Sequence, residues 1–455
     1  MKKHIFTIFL LFFVVYSTNA QDRMLTHMHS VPQANQNNPA FTVPYKFYIG
    51  IPGLSSVNVS FQNPFAYGDV VKRRSDDSLY IDPQSFLKTF SKNNITSLDL
   101  KENVLDFGFR VKNNFFTFTQ SIRGNFDFSY PEDMFALLIN GNTAFLDEDR
   151  ALEMKKLKVN ATVFSESAIG YQRNLTNHIN IGIRAKYLQG FANVNTKNSY
   201  FYLHTNPENY FLTAKSEFDV YTASVFDEDG NLNRNDLFKN RGLAFDFGGV
   251  YRFSDDMAVG ASVHDIGFIR WNTSPRQYSS SMVNDEFTFR GFDLSHLFAG
   301  NQINSGIIQE VADTLTDQFI FSDTARTAYT TWLNPKVCFD AYYVLNTHNK
   351  FGGYLRTDFV NGMILPSLTL SYQRSFGRIL QLGASYGVSK AQWSKLGLAM
   401  SVKFGPCHGF VSTENVFSFN NATKINNYYL HFGFNVVIGK WREAMLDKNK
   451  SSIDL

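Results

Sequence analysis

Residues 428–438 read YYLHFGFNVVI, the clearest alternating pattern in the chain. Its even-numbered positions are all apolar: Tyr428, Leu430, Phe432, Phe434, Val436 and Ile438. Its odd-numbered positions are mostly polar or small, as His431, Gly433 and Asn435 show. Successive side chains of a β-strand point to opposite faces, so the pattern predicts a strand with one apolar and one polar face.

The same alternation recurs in segments of about ten residues, the length that a tilted strand needs to cross a bilayer. The segments are 179–187, 243–252, 368–373, 380–388 and 395–404. Their polar faces carry charges together with many glycines and serines. A soluble β-sandwich also alternates, but its polar face looks out at water, whereas converging barrel walls need small and polar groups. We therefore predict an all-β fold, a transmembrane antiparallel β-barrel.

The lengths of the connections test this prediction, because such barrels have short periplasmic turns and longer outer loops. Short connections are predicted at 112–114, 174–177, 206–209, 254–256, 346–349, 376–378 and 405–407. Long ones are predicted at 62–103, 129–160, 225–241 and 271–334, with short outer turns near Gly362 and Lys390. Keeping this order requires sixteen strands, including a weak one at 199–204, so we predict an even number between fourteen and sixteen.

Three outer connections contain segments with helical spacing. Residues 83–92 follow Asp82-Pro83, a capping residue and a first-turn proline. Segments 131–138 and 294–299 have similar character. We expect short helices in the outer loops.

The N-terminus predicts export. A basic start at Lys2 and Lys3 precedes an apolar run over 5–16 and a small, polar exit ending at Ala20. This is the pattern of a secretory signal peptide spanning residues 1–20, with cleavage after Ala20 and a cell outer membrane destination. The chain has 43 basic and 40 acidic residues, and cleavage of the signal peptide removes two lysines. The mature chain therefore has almost no net charge to attract nucleic acid.

Six charged residues fall on polar faces of predicted strands and are expected to line the lumen. They are Arg184, Lys186, Asp246, Arg252, Arg356 and Asp358. We expect them to pair with one another and to hydrate the interior, and a substrate site among them stays open.

Several stretches resemble an uncharacterised family of Bacteroidota outer-membrane barrels, a domain of unknown function. They are QANQNNPAF (33–41), YIGIPGLSS (48–56), PEDM (131–134) with Gly141-Asn142, KYLQG (186–190) and HDIGFIRW (264–271). That family is similar to FadL-type barrels and to PorP/SprF proteins. The resemblance implies a FadL-like barrel over 45–439, in which Asn38-Pro39-Ala40 is the turn of an N-terminal plug formed by residues 21–44.

The last strand carries a further resemblance. His431, Gly433, Val436 and Ile438 fit a polar-x-Gly-x-x-apolar-x-apolar pattern similar to the insertion signal read by the barrel-assembly machinery. Residues 440–455 would then form a periplasmic tail that could contact a partner.

Catalytic and metal-binding motifs are weak. Ser385 lies in a Gly-x-Ser-x-Gly string, but inside an alternating strand rather than at a sharp turn. The 227–236 loop is acidic, yet its glycine comes too early for an EF-hand, and His27 and His29 lack a third ligand. Cys338 and Cys407 are expected on opposite sides of the membrane as free thiols. We predict no catalytic residue, no metal and no cofactor.

Three functions stay open at this point. The first is an uptake channel for a small solute, hydrophobic solutes included, and the second is a PorP/SprF-like partner that docks or helps to secrete a surface protein. The third, an outer-membrane enzyme, has no convergent catalytic set in the sequence. Lipid, the assembly machinery and a secreted protein are the partners that these functions imply.

Overall fold

The computed structural model describes residues 25–140, 145, 150–208, 211–226, 231–282, 287–289, 319–389, 392–416 and 426–440. The predicted signal peptide, residues 21–24, the predicted helix at 294–299, part of the 227–236 loop and residues 441–455 lie outside this description.

Strands dominate the described chain. They are β1 (Tyr45–Gly50), β2 (Val57–Gln62), β3 (Val71–Arg73), β4 (Leu79–Ile81), β5 (Asn94–Val111), β6 (Asn114–Tyr130), β7 (Leu152–Met154), β8 (Lys158–Asn174), β9 (Ile179–Thr205), β10 (Leu212–Ser224), β11 (Arg241–Arg252), β12 (Met257–Trp271), β13 (Arg276–Met282), β14 (Phe287–Phe289), β15 (Phe319–Ala325), β16 (Tyr329–Trp332), β17 (Lys336–Val344), β18 (Asn349–Val360), β19 (Met363–Phe376), β20 (Leu380–Ser389), β21 (Gln392–Phe404), β22 (Cys407–Thr413) and β23 (Asn427–Lys440). All except the β3–β4 hairpin belong to one antiparallel sheet.

This sheet closes on itself. The last strand, β23, pairs with β22 on one side and with β1 and β2 on the other, for example Tyr48 with Val437. Five wall strands are interrupted, because β1/β2, β7/β8, β10/β11, β12/β13/β14 and β15/β16/β17 each follow one path through the sheet. Within the described ranges, the wall therefore has fourteen strands, and the predicted antiparallel barrel is confirmed.

The argument that led to sixteen strands was wrong. The predicted strand at 199–204 is the end of β9, which runs unbroken for 27 residues and pairs with β10 up to Thr205. The connection after Thr205 is thus at the outer end, not the periplasmic end. Alternation continues along a strand that leaves the bilayer, so the pattern alone does not mark where the crossing ends. The predicted outer connection 225–241 interrupts one wall strand, between β10 and β11. The predicted outer connection 271–334 contains the wall strands β13 to β16.

The other short turns lie together at one end, which we call the periplasmic end by the general rule for such barrels. Lys112, Gly377 and Gly405 have positive φ values of 54°, 61° and 57° in three of these turns. At the opposite, outer end, Asn361 and Gly362 form a tight turn with φ values of 50° and 78°. Such left-handed residues let two strands reverse within a few residues.

Short helices occur in the outer loops, as predicted for two of three segments. They are α1 (Tyr67–Val70), α2 (Pro83–Leu87) and α3 (Glu132–Asn140). The Asp82 carboxylate accepts a hydrogen bond from the Ser85 N–H at 3.1 Å and caps α2. The rings of Phe90 and Phe135 stack with centroids 4.5 Å apart, which joins two outer loops. No helix among the described residues is long and apolar enough to cross a bilayer.

The two faces of the wall differ in polarity. Large apolar side chains are exposed on the outside of many strands, including Leu243, Phe247, Phe339, Leu370 and Phe434. The buried side chains are largely polar and include aspartates, arginines, serines and asparagines from most wall strands. An apolar exterior around a polar interior is the arrangement of a transmembrane barrel.

Candidate functional site

Residues 25–44 lie against inward-facing side chains from many wall strands. They contain two 3₁₀ helices, Leu25–His27 and Pro32–Gln36, and most of their side chains are buried. The amide of Gln33 donates to Asp106 on β5 at 3.1 Å and to Asn435 on β23 at 2.8 Å. On another part of the wall, the Lys350 ammonium on β18 donates to the His27 carbonyl at 2.9 Å. We call this stretch the N-terminal segment.

Asp106 is a hydrogen-bond centre for this segment. Its carboxylate accepts from Gln33, Gln36, Tyr48, Asn103 and Thr119 at 2.8 to 3.3 Å. All five donors are neutral, and two belong to the N-terminal segment.

The turn at Asn38-Pro39-Ala40 is buried in the same region. The side-chain carbonyl of Asn38 accepts from the Ala40 N–H at 2.9 Å, which is the local bond of an Asx-turn. Its amide group donates to Asp340 on β17 at 3.2 Å. The turn is thus fixed both by its own backbone and by the barrel wall.

Glycines on the inner face of the wall give the segment its room. A Cβ at Gly182 would lie 2.1 Å from the Pro39 carbonyl oxygen, and one at Gly248 would lie 2.2 Å from Asn38 Oδ1. A Cβ at Gly352 would lie 2.4 Å from the His27 ring. These distances are too short for any side chain, so the wall is shaped around the N-terminal segment.

His27 is buried and neutral. Its ring Nδ1 lies 3.0 Å from the Ser371 hydroxyl, and burial, followed by the nearby Lys350 ammonium, lowers the pKa of His27 from 6.5 to about 3. Burial and Lys350 also lower the pKa of His29. No group of three or more His, Cys, Asp or Glu side chains able to hold a metal occurs among the described residues.

A network of buried charges lies on the inner face, beyond the N-terminal segment. The Arg123 guanidinium donates to both oxygens of Asp265 at 2.9 and 3.0 Å and to Glu166 at 2.8 Å. The Lys186 ammonium lies 2.6 Å from Asp246 and 2.7 Å from Asp265. Such charge-assisted bonds tie β6, β8, β9, β11 and β12 together.

A β-bulge explains how Asp265 enters this network. The register between β11 and β12 shifts between Phe245 and Phe247, and Asp265 has a φ of 59°. As a result, the consecutive residues His264 and Asp265 are both buried. Bulges insert one extra residue and re-aim side chains in this way. The break in alternation at His264-Asp265 was the only sequence signal for it.

The structure divides the six charged residues predicted to line the lumen into three groups. Arg184 and Lys186 both lie near Asp246, at 3.9 and 2.6 Å. Arg356 pairs with Asp358 at 2.6 Å. Arg252 lies apart from both groups and donates to Thr42 in the N-terminal segment at 3.4 Å. Sequence reasoning missed five members of the network: Lys101, Arg123, Glu166, Asp265 and Lys336.

The residues of the proposed insertion signal lie on β23 with alternating burial. His431 and Gly433 are buried, and the His431 ring lies 2.7 Å from the Ser56 hydroxyl. Ile438 is exposed and Val436 half-buried on the other face.

The model of a family of unknown function, DUF5723, matches residues 39–414. The chain belongs to this family. The predicted membership of an uncharacterised family is therefore confirmed. No curated protein matches the chain.

Several solved structures are similar to this chain at low identity. The toluene transporter TodX of Pseudomonas putida is 8% identical, with a TM-score of 0.41 over 93% of this chain and 98% of that one. A FadL homologue of Pseudomonas aeruginosa is 9% identical, with a TM-score of 0.35 over 89% and 91%. The translocator domain of the autotransporter NalP of Neisseria meningitidis is 5% identical, with a TM-score of 0.33 over 92% and 99%.

In this member of the DUF5723 family, two adjoining cavities occupy the lumen around the charged network. One, of about 120 Å³, has Gln36 and Asn37 of the N-terminal segment in its lining together with Arg184 and Lys336. The other, of about 50 Å³, shares Asp99, Arg123, Asn125 and Lys336 with it. Most residues in both linings are polar or charged.

The Gly-x-Ser-x-Gly string around Ser385 does not have the backbone geometry of a catalytic nucleophile. Ser385 lies in the middle of β20, paired with Ser371 and Gly397, and no strand-to-helix turn follows it. Both cysteines are free, as predicted; Cys338 is buried, and Cys407 is exposed at the periplasmic end of β22. The 227–230 part of the acidic loop lies outside the described residues.

Proposed function

We propose that this protein is an outer-membrane channel for a small solute, exported by cleavage after Ala20, with residues 21–44 acting as its plug. One observation carries the proposal: the inner part of a polar lumen is filled by the chain's own N-terminal segment, while cavities remain beyond it. A pore that is blocked only by a short segment of its own chain can be opened by moving that segment.

The bonds that hold the segment favour a movable plug over a permanent core. Its contacts with Asp106, Asn435 and Asp340 use the neutral amides of Gln33 and Asn38. Its charged donors bond uncharged oxygens rather than acids: Lys350 donates to the His27 carbonyl, Lys101 to the Gln36 side chain and Arg110 to the Val43 carbonyl. Water can replace a neutral donor at modest net loss, because even a hydrogen bond to a charged group contributes only about 1.5–3 kcal/mol. Charged partners would be far harder to separate.

The cavity linings favour a polar solute over a hydrocarbon. Transfer of an apolar solute past Arg123, Asp99 and Lys336 would desolvate charges without replacing their partners. The hydrophobic solute considered from the sequence is therefore the less suitable of the two classes.

Planar-bilayer conductance tests the proposal. We expect the full chain to be mostly closed and Gly248→Val to open, because the new side chain needs the space of Asn38 and Pro39. Gly249→Val is the matched control, since a Cβ at this neighbouring glycine meets nothing within 4 Å and should leave the pore closed. Both variants must keep the heat-modifiable mobility of a folded barrel on gels.

Deletion of residues 25–44 provides the second arm of this test. A steady open conductance of the truncated barrel supports the plug. If both the deletion and Gly248→Val fold and stay closed, the channel proposal is wrong.

Docking of a secreted surface protein is the second candidate. One observation favours it: β9 runs for 27 residues, well beyond the ~10 needed to cross a bilayer, and its far end pairs with β10, which pairs with β13. Exposed Tyr67, Leu79, Ile81 and Leu138 add apolar surface on the outer loops. Co-purification of one secreted protein with the full chain, lost when 71–81 is replaced by a Gly-Ser linker, would support this function.

We also propose that β23 carries the signal for the barrel-assembly machinery, in His431, Gly433, Val436 and Ile438. In the closed barrel both edges of β23 are paired, so its edge is available for pairing only before closure. Replacing Val436 and Ile438 by Ser should lower the amount of inserted barrel. Unchanged insertion would exclude the signal.

A further inference from the structure

The charged network places more positively charged than negatively charged side chains around the cavity above the N-terminal segment. We propose that this cavity is a binding site for a small organic anion that carries carboxylate groups. The inference rests on the proposed channel and names the class of its solute.

Exposure separates two lysines of the network from its acids. The side chains of Lys101 and Lys336 are 26% and 20% exposed, whereas that of Asp265 is 5% exposed. Glu166 is fully buried, and Asp246 is 1% exposed. A solute in the cavity therefore meets the ammonium groups first, because the carboxylates that bind them are buried more deeply.

Arg184 supplies an independent sign of a missing partner. It is 2% exposed and lines the cavity, yet its Nε and Nη2 atoms have no hydrogen-bond partner among the described residues. Within the described part of the chain, its one ion contact, between Nη1 and Asp246, is long at 3.9 Å. Buried guanidinium donors are almost always satisfied in native proteins, and a carboxylate matches their forked geometry.

The two accessible lysines are not needed to hold the network together. Lys336 lies 3.3 Å from Asp265, but Arg123 and Lys186 lie closer to that carboxylate. Lys101 lies 3.8 Å from Glu166, which Arg123 contacts at 2.8 Å. Its closer contact, at 3.0 Å, is with the uncharged side-chain oxygen of Gln36. Both ammonium groups can thus turn to a ligand while every acid keeps its nearest cation.

One accessible acid opposes the anion. Asp99 lines both cavities and is half-buried, with the Asn125 amide as a donor to its carboxylate. Because it lies near the same space as the lysines, its charge should weaken anion binding at this site. Removing that charge should therefore tighten anion binding. Structural damage to the site would weaken binding instead, so the two effects can be distinguished.

The experiment is equilibrium binding of radiolabelled succinate and of the dication putrescine to the full chain in detergent, at 50 mM NaCl. We expect saturable succinate binding and no saturable putrescine binding. Lys101→Gln and Lys336→Gln should each weaken succinate binding about tenfold, as expected for loss of one charge-assisted hydrogen bond. Asp99→Asn should strengthen it severalfold. Lys92→Gln, which removes an exposed lysine next to β5, is the matched control and should change nothing.

The outcomes separate the site from the channel. Equal binding of putrescine, or unchanged succinate binding in both lysine variants, would overturn the anion site. Succinate binding in a Gly248→Val barrel that stays closed would keep the site and reject the channel. Conductance without any preference for chloride over potassium would keep the channel and reject the site.

Discussion

Asp106 and Asp265 are both buried carboxylates on the inner face of the wall, yet their partners belong to different chemical classes. Asp106 accepts from five neutral donors, two of them in the N-terminal segment. Asp265 lies within 3.3 Å of three cations: Arg123, Lys186 and Lys336. Both arrangements stabilise a buried negative charge, but only the first can be exchanged for water without separating opposite charges.

The comparison divides the lumen by mechanical role. In the inner part, around Asp106, neutral hydrogen-bond donors hold the N-terminal segment, so this segment can leave the lumen. The outer part, around Asp265, is built so that the wall strands stay fixed while exposed ammonium groups face the cavity. Four predictions test this division, in order of falling effect.

The largest effect is expected at Arg123. Arg123→Met removes the guanidinium that contacts both Asp265 and Glu166. The free energy of unfolding should therefore fall by about 3–5 kcal/mol, as for a broken buried ion pair. Denaturant unfolding in detergent measures it. A loss below ~1 kcal/mol would mean that the outer network does not hold the wall.

The second effect is expected at Gly352. A Cβ there lies 2.4 Å from the His27 ring, so Gly352→Ala should weaken docking of the N-terminal segment by about 3 kcal/mol through overpacking. Hydrogen–deuterium exchange over 25–44 reports it. Gly353→Ala is the matched control, because its Cβ meets only a Leu370 methyl group at 3.8 Å. Equal exchange in both variants would contradict the close fit.

The third effect is a dependence on pH. The pKa of docked His27 is about 3, against 6.5 when it is undocked, so only the undocked segment binds a proton between these values. Docking should therefore be strongest above pH 7 and weaken as pH falls below 6.5, by about 2 kcal/mol at pH 5. The groups facing His27 are Lys350, Ser371 and His29.

Exchange over 25–44, corrected for intrinsic rates, measures this dependence between pH 7.5 and 5. His27→Asn should reduce it, since no proton can then be taken up at that position. Stronger protection at pH 5 than at pH 7.5 would show that the sign is wrong.

The smallest effect is expected at Gln33. Gln33→Ala removes the bonds to Asp106, Asn435 and the Ser55 carbonyl. Asp106 keeps Gln36, Tyr48, Asn103 and Thr119 as donors. Docking should weaken by only about 1.5 kcal/mol, the lower end for hydrogen bonds to a charged group, because water can replace the lost donor. A loss as large as that in Arg123→Met would remove the distinction between the two parts of the lumen.

The alternation of polar and apolar residues allowed much of the fold to be predicted. It assigned Arg184, Lys186 and Asp246 to one face of their strands, where the structure buries them. It did not reveal the number of strands, because β9 keeps alternating past the bilayer. Nor did it show the N-terminal segment's contacts, since the glycines at 182, 248 and 352 give no local sign of what lies against them.

The sequence by itself determined which side chains share a face, because that depends only on the two-residue period of a strand. Tertiary structure alone decided which faces meet across the barrel. Arg123 and Asp265 are 142 positions apart, and their bond depends on the β-bulge that turns Asp265 inward and on closure of the wall. Local chemistry sets a side chain's direction, whereas its partner depends on the register of every strand between the two.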